Sequence, residues 1–333
     1  MKHRWLAITG LVVAAVVVLV GGWTWFLLAV PVGAGRQQSV IIGKDASLRF
    51  VARSLKQQGL IRSERAFWLA ARRRWRQVRQ GEYQFTPSMS TLQIIADLAE
   101  GRVVAYWVTV PEGFTIAQIA DILSEREIAA RDDFVTAATA GLMLDADFPL
   151  PSGSLEGYLF PDTYRLLPGP QVASSMVRRM VERFDELVWR GLLHGKLPQG
   201  GLTLHEIVTL ASLVEGEAKR DRERRLIAGV LMNRLRRGMK LECDATVQYA
   251  LGARKARLLH ADLLVPSPYN TYLHEGLPPG PIDNPGVASI RAALRPEKTD
   301  FLYYVAKPDG SHVFSRTLEE HQAASARVRR SGG

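Results

Sequence analysis

Hydrophobic patterning divides the chain before any single residue is considered. From Trp5 to Gly35 there is no charge, and apolar residues run almost unbroken to Val32. Such a run predicts a helix without a polar face, and about 20 helical residues suffice to cross the hydrocarbon of a bilayer. A cleaved signal peptide shares the basic start seen at Lys2, His3 and Arg4, but its apolar core is shorter, about 7 to 15 residues. The expectation is a retained transmembrane anchor. Beyond it, three segments repeat one pattern of short strand, polar turn, N-cap and amphipathic helix: SVIIGKDASLRFVARSLKQQGLI, EYQFTPSMSTLQIIADLAEGRVV and WVTVPEGFTIAQIADILSEREIA. The second and third carry capping boxes, Ser90 with Gln93 and Thr115 with Gln118, which fix where their helices begin.

Between the first two segments, AFWLAARRRWRQVRQ interleaves Arg72, Arg73, Arg74, Arg76 and Arg79 with Trp75. This run is either a solvated helix face or a grip on an anionic polymer or lipid head groups. Asp132 to Leu150 continues as helix until Pro149, Pro151 and Gly153 interrupt it, and a domain boundary is placed there. The next segment gathers Glu156, Tyr158, Phe160, Asp162 and Tyr164. Aromatic faces stack on sugar rings while carboxylates accept their hydroxyls, so it reads as the wall of a sugar site or as a core strand and turn. A polar-faced helix from Ser174 to Gly191 follows, and then IVTLASLV, Ile207 to Val214, with the pattern of a helix buried all round.

The long loop SPYNTYLHEGLPPGPIDNPG carries Tyr269, Asn270, Thr271 and Tyr272; loops of this length inside a domain are usually functional. FLYYVAKPDGSHVFS reads as a hairpin and ARVRRSGG as a frayed tail. The fold class expected is α+β: a cytoplasmic start, anchor and tether over 1–36, a small α+β region over 37–150, a larger mixed α/β domain over 151–325, and the tail 326–333.

Composition changes this picture in three ways. With 333 residues and 47% apolar content the chain buries an ordinary core in about two domains. A net charge of +10 points to an anionic partner without choosing among nucleic acid, phospholipid and acidic polymer. The anchor makes that choice, because basic residues stay on the cytoplasmic side and Trp23 and Trp25 sit near the other interface. The remainder lies outside the cytoplasm, away from intracellular nucleic acid. The single cysteine, Cys243, excludes an intramolecular disulfide framework, and the seven histidines fall at no zinc-ligand spacing. Neither metal nor cofactor is expected.

Glu215 directly follows the apolar run. Burial disfavours an ionised carboxyl, so an acid there is a candidate for the raised pKa a general acid needs. The other reading has Glu215 ending a buried turn, its carboxylate in water or paired with Arg220, Arg222, Arg224 or Arg225. Glu217 lies about 200° further round a regular helix, so the two side chains do not share a site. It is expected to be structural, held by an arginine or a backbone amide.

LEGYLFPDTY, LASLVEGEA, NRLRRGM, SPYNTY and GLPPGPIDNPG, in this order behind an N-terminal anchor, resemble the endolytic murein transglycosylases of the YceG/MltG family. The resemblance runs from about Ser39 and is dense from Ser154 to Phe314. It implies a single-pass inner-membrane protein whose catalytic domain is periplasmic. The enzyme would cut the β-1,4 bond between N-acetylmuramic acid and N-acetylglucosamine without water, leaving 1,6-anhydro ends. Its implied setting is cell wall assembly and glycan chain termination beside the peptidoglycan synthases. By motif position Glu215 inherits the catalytic role, although Ala218 stands where a threonine often follows the second acid. Glu156, Tyr158, Tyr269, Asn270 and Asp244 are the expected substrate contacts, with Ser212 and Glu217 structural beside the site. The N-terminal strand–helix segments resemble LysM-type modules that bind N-acetylated glycans, or form a plain spacer. A membrane-tethered glycan-binding scaffold and a hydrolytic muramidase are the alternatives.

Overall fold

Twelve α-helices, three two-stranded sheets and short π- and 3₁₀-helical segments make up the regular structure among the described residues of the computed structural model, which are 2–43, 46–75, 78, 81–139, 144–198, 201–253, 255 and 258–331. The chain divides into two units, Met1–Tyr106 with Arg165–Gln171, and Trp107–Tyr164 with Val172–Gly333.

In the first unit, α1 (Lys2–Ala29) is uninterrupted, and its window Gly10–Ala29 is long and apolar enough to cross a membrane. Then come β1 (Gln38–Ile42), α2 (Leu48–Gln57), α3 (Glu64–Ala71), β2 (Gly81–Phe85) and α4 (Thr91–Glu100). In α2, Leu48, Val51, Ala52 and Leu55 repeat at helical spacing and are the buried positions. Strands β1 and β2 pair antiparallel with Val40 opposite Tyr83, and alternate residues of both turn inward. Leu55, Phe67, Tyr83, Ile94 and Leu98 close the core beneath them. Ser47, Ser63 and Ser90 cap α2, α3 and α4. The arginine run is not a helix face: α3 stops at Ala71, and exposed Arg72, Arg73 and Arg74 follow it in a turn, with Arg72 5.9 Å from the Trp68 ring. Arg76 and Arg79 lie outside the described residues.

All three repeated segments form a strand and then a helix, and both capping boxes are made. The third belongs elsewhere, however. Its strand β3 (Tyr106–Thr109) leads to α5 (Ile116–Glu125) and α6 (Arg131–Thr139), and β3 pairs with β4 (Thr163–Leu166). Because α6 packs against α7 (Val172–Phe184), residues 107–150 join the second unit, and the division falls at Tyr106 rather than near Leu150.

The second unit continues through a π-helical stretch, Asp185–Arg190, to α8 (Leu204–Glu217), α9 (Arg224–Arg236), α10 (Asp244–Leu251), α11 (Val287–Leu294), the hairpin β5 (Tyr303–Ala306) with β6 (His312–Ser315), and α12 (Leu318–Ser331). Every residue of α8 from Ile207 to Val214 is buried, since α9, α10 and α11 all pack on it. Residues 326–331 are the end of α12 and not a frayed tail. Glu319 and Glu320 in its first turn and Arg329 and Arg330 in its last match the helix dipole, and Ala324 is buried.

Candidate active site

The regular end of α8 turns its two carboxyls to different neighbours. Glu215 is almost enclosed, with 8% of its side chain exposed. Arg224, the first residue of α9, donates from Nη1 to Glu215 Oε1 at 2.9 Å, and the Gly286 amide donates to Oε2 at 3.1 Å. Arg224 is itself fixed by Asp221 Oδ1 at 3.0 Å and by Ser289 Oγ. Of the four arginines the sequence offers as partners for Glu215, Arg224 is the one paired with it. Glu112 stands nearby: a Cβ on Gly286 would fall 1.8 Å from its Oε1. Partial burial first, and the Glu215 charge second, raise the Glu112 pKa.

Glu217 has a different shell. It is partly buried, and Oε1 accepts from the Ala245 amide at 3.4 Å and the carboxyl from the Tyr304 side chain. Burial, reinforced by the negative charge of Asp244, pushes its pKa up to about 7. Of the two partner types expected for Glu217 it has the amide, and the arginine belongs to Glu215. The reason is positional: Arg224 enters from α9 on one side of α8, while α10 brings Asp244 and Ala245 to the other.

The helix end opens on a cavity of about 830 Å³ lined by Gly216, Lys219, Ala245, Tyr249 and the first turn of α5. A second cavity, of about 710 Å³, is lined by His205, Tyr269 and Pro279 to Pro281. Ser154 and Glu156 line both. The larger space sets the Tyr249 ring among carboxyls, side-chain amides and hydroxyls, and the smaller sets rings and prolines beside a carboxyl and hydroxyls, surfaces of the kind a polyhydroxylated chain requires.

The expected site residues take distinct places. Glu156 is 6% exposed and accepts the Ile116 amide at 3.0 and 3.2 Å and Asn284 Nδ2 at 2.9 Å, bonds that tie it to the start of α5. Burial nevertheless drives its pKa up to about 8. Tyr158 lines the smaller cavity, yet it is buried, with Oη 3.3 Å from His205 Nδ1. Tyr269 is half-buried and packs on Tyr249 at 4.8 Å between ring centres. Asp244 accepts from the Tyr272 hydroxyl at 2.6 Å. Asn270 departs from the expectation of substrate contact. It is fully buried, its Nδ2 donates to the carbonyls of Leu263 and Val265, and its Oδ1 accepts from the Tyr272 amide. Its hydrogen-bonding capacity is used in holding the long loop. Ser212 is a buried brace that donates to Thr209 and accepts from the Ile282 amide at 3.0 Å.

Sequence reasoning did not single out Asn284. Its Oδ1 accepts the amides of Gly157 and Leu159 at 2.9 and 3.0 Å, and its Nδ2 donates to Phe114 and Glu156. One side chain thereby joins LEGYLFPD, VPEGFT and IDNPG. The signal is the residue's place inside IDNPG, but no local pattern marks such a role. Glu112, His205 and Tyr304 were passed over for the same reason.

Residues 40–327 match the YceG-like family. The chain is 35% identical over 304 residues to the endolytic murein transglycosylase of Bacillus subtilis (strain 168), covering 86% of this chain and 83% of that protein. It is 29% identical over 325 residues to the endolytic murein transglycosylase of Streptococcus pneumoniae (strain ATCC BAA-255 / R6), covering 87% of this chain and 58% of that protein. A crystal structure of a yceG-like protein from Listeria monocytogenes matches with a TM-score of 0.58 at 33% identity, covering 86% of this chain and 99% of that one. With a match that spans nearly the whole chain beyond α1, and a relative aligned along most of its own length, the chain belongs to the YceG-like family.

Proposed function

We propose that this protein is an endolytic lytic transglycosylase, cutting the β-1,4 bond between N-acetylmuramic acid and N-acetylglucosamine in peptidoglycan and leaving 1,6-anhydro ends. The names of its relatives support the reaction class. The observation that carries the site is the unequal treatment of two glutamates at one helix end. An acid catalyst must hold a proton near neutral pH and release it to substrate. Glu215, the expected catalyst, has both oxygens facing donors, a guanidinium and an amide. Glu217, at about 7, supports the acid role better, and it is flanked by Gly216, Lys219 and Ala245 of the larger cavity wall.

In this reading neutral Glu217 protonates the glycosidic oxygen as that bond breaks toward an oxocarbenium-like state. Its carboxylate then takes the proton of the sugar's own C6 hydroxyl as that oxygen bonds to C1. One carboxyl serves twice, and no second acid is needed to activate water, unlike the two-carboxyl scheme of ordinary glycosidases. Glu215 and Arg224 hold the end of α8 in place. The apolar α1 supports a single-pass anchor in the inner membrane, N-terminus cytoplasmic and the remainder periplasmic. The order β1-α2-α3-β2 with an antiparallel strand pair supports a LysM-like glycan-holding role for the first unit. Chain termination beside the peptidoglycan synthases is the cellular setting this reading implies.

The test is digestion of purified peptidoglycan, with the fragments analysed by mass spectrometry. Anhydro ends from wild type and none from a folded Glu217→Gln variant are expected. Reducing ends would make the enzyme a muramidase, and no cutting would make it a binding scaffold. Full activity in Glu217→Gln with loss in Glu215→Gln would return the acid role to Glu215.

A further inference from the structure

The end of α1 is clamped to the first unit. Thr91 Oγ1, at the start of α4, donates to the Leu27 carbonyl at 3.2 Å. Arg62 donates to the carbonyls of Val30, Pro31 and Val32, and its guanidinium lies 4.6 Å from the centre of the Phe26 ring. The Gly33 amide donates to the Pro87 carbonyl at 3.1 Å. The last carbonyls of a helix have no partner within it, and here the folded unit supplies donors to that end and to the residues just beyond it.

These bonds set a depth. Gly10–Ala29 comprises 20 residues; at about 1.5 Å of rise each this is about 30 Å, the thickness of bilayer hydrocarbon. Leu27 lies two residues from the end of that window, so it and the Thr91 hydroxyl bound to it sit within about 3 to 5 Å of the hydrocarbon edge. Exposed Trp23 and Trp25 lie about one turn deeper, near the level where indoles collect. The two helices that pack on α1 also present apolar side chains outward: Leu92, beside Thr91 on α4, is 48% exposed, and Leu69 on α3 is 56% exposed. Arg65 shares a face of α3 with Leu69, and Arg72 and Arg73 follow at its C-terminal end, all exposed. Leucines bordered by arginines fit a phospholipid interface, where acyl carbon lies beside anionic phosphate.

We propose that the first unit rests on the outer face of the bilayer that α1 spans, with Leu92 and Leu69 in the head-group layer and Arg65, Arg72 and Arg73 on lipid phosphates. This rests on the reading of α1 as a membrane anchor. The continuity of α1 with the unit, through bonds at Leu27 and Val30 to Gly33, identifies the membrane as the occupant of this face. The unit is then a fixed foot with a set orientation, not a weight on a flexible tether.

The full-length protein, reconstituted in vesicles of phosphatidylethanolamine and phosphatidylglycerol, tests this. Nitroxide labels are placed at Leu92→Cys, Leu69→Cys and, in the middle of α1, Val17→Cys. Cys243 is buried, and parent protein taken through the same labelling controls for it. Relative to a label at Leu259→Cys, an exposed position of the second unit, the Leu92 and Leu69 labels should show a several-fold higher ratio of collisions with dissolved oxygen to collisions with a water-soluble nickel complex. Water-like values at both, with Val17 deep in hydrocarbon, would overturn the docking and leave the anchor standing. Water-like values at Val17 as well would overturn the anchor reading itself. In phosphatidylcholine vesicles the Leu69 label should shift toward water, and unchanged values would overturn the role given to the arginines.

Discussion

Glu217→Gln should abolish cutting and stabilise the fold at the same time. The ordinary pKa of this carboxyl, 4.5, stands for the unfolded chain, and the folded value is about 7. Below pH 4.5 both states hold the proton and the mismatch contributes nothing. Between 4.5 and about 7 the unfolded chain has lost the proton while the folded protein retains it, so stability falls as pH rises. At about 1.4 kcal/mol per pH unit, the loss reaches about 3 kcal/mol by pH 7 and then levels off. Glutamine has the same shape, keeps an oxygen for the Ala245 amide, and does not ionise. Urea unfolding of both proteins from pH 4 to 8.5 should show equal stability at the acid end and a gap opening in favour of the variant above pH 5. The wild-type kcat/KM should decline above about pH 7 as the acid loses its proton. A gap that does not change with pH, or a variant less stable than wild type at pH 8, would refute the reasoning, because Glu217 would then ionise in the fold without penalty.

Arg224→Met removes the cation from an almost enclosed Glu215, and urea titration should show about 3 to 5 kcal/mol of destabilisation. Asn284→Ala leaves two buried amides without their acceptor and takes a donor from buried Glu156, while the Phe114 carbonyl keeps the backbone amide of residue 284; a cost of about 3 kcal/mol is expected from the same titration, with a loss below about 1 kcal/mol counting against the bracing role. Gly157 has φ +87°, and a Cβ there would lie 2.5 Å from Pro281 and 2.8 Å from Val208. Gly157→Ala should therefore lower the thermal midpoint by at least as much as a core cavity substitution, about 2 kcal/mol or more in stability.

Local pattern by itself determined most of the elements. The charge-free run became α1, IVTLASLV became the buried centre of α8, and the two capping boxes start α4 and α5 where the sequence puts them. Period, caps and turn residues act over a few positions, which is why they can be read without a fold. Partnership cannot be read that way. That β3 pairs with β4 and takes the third strand–helix segment into the second unit depends on residues more than fifty positions apart. Which partners the two glutamates meet depends on which face of α8 meets α9 and which meets α10, so only the tertiary structure gives Glu215 its arginine and Glu217 the burial and Asp244 charge that raise its pKa. Asn270 and Asn284 make the same point. Each stands in plain view in a motif, and its role follows from backbone groups that folding brings to it, as many as 170 residues away for Asn284.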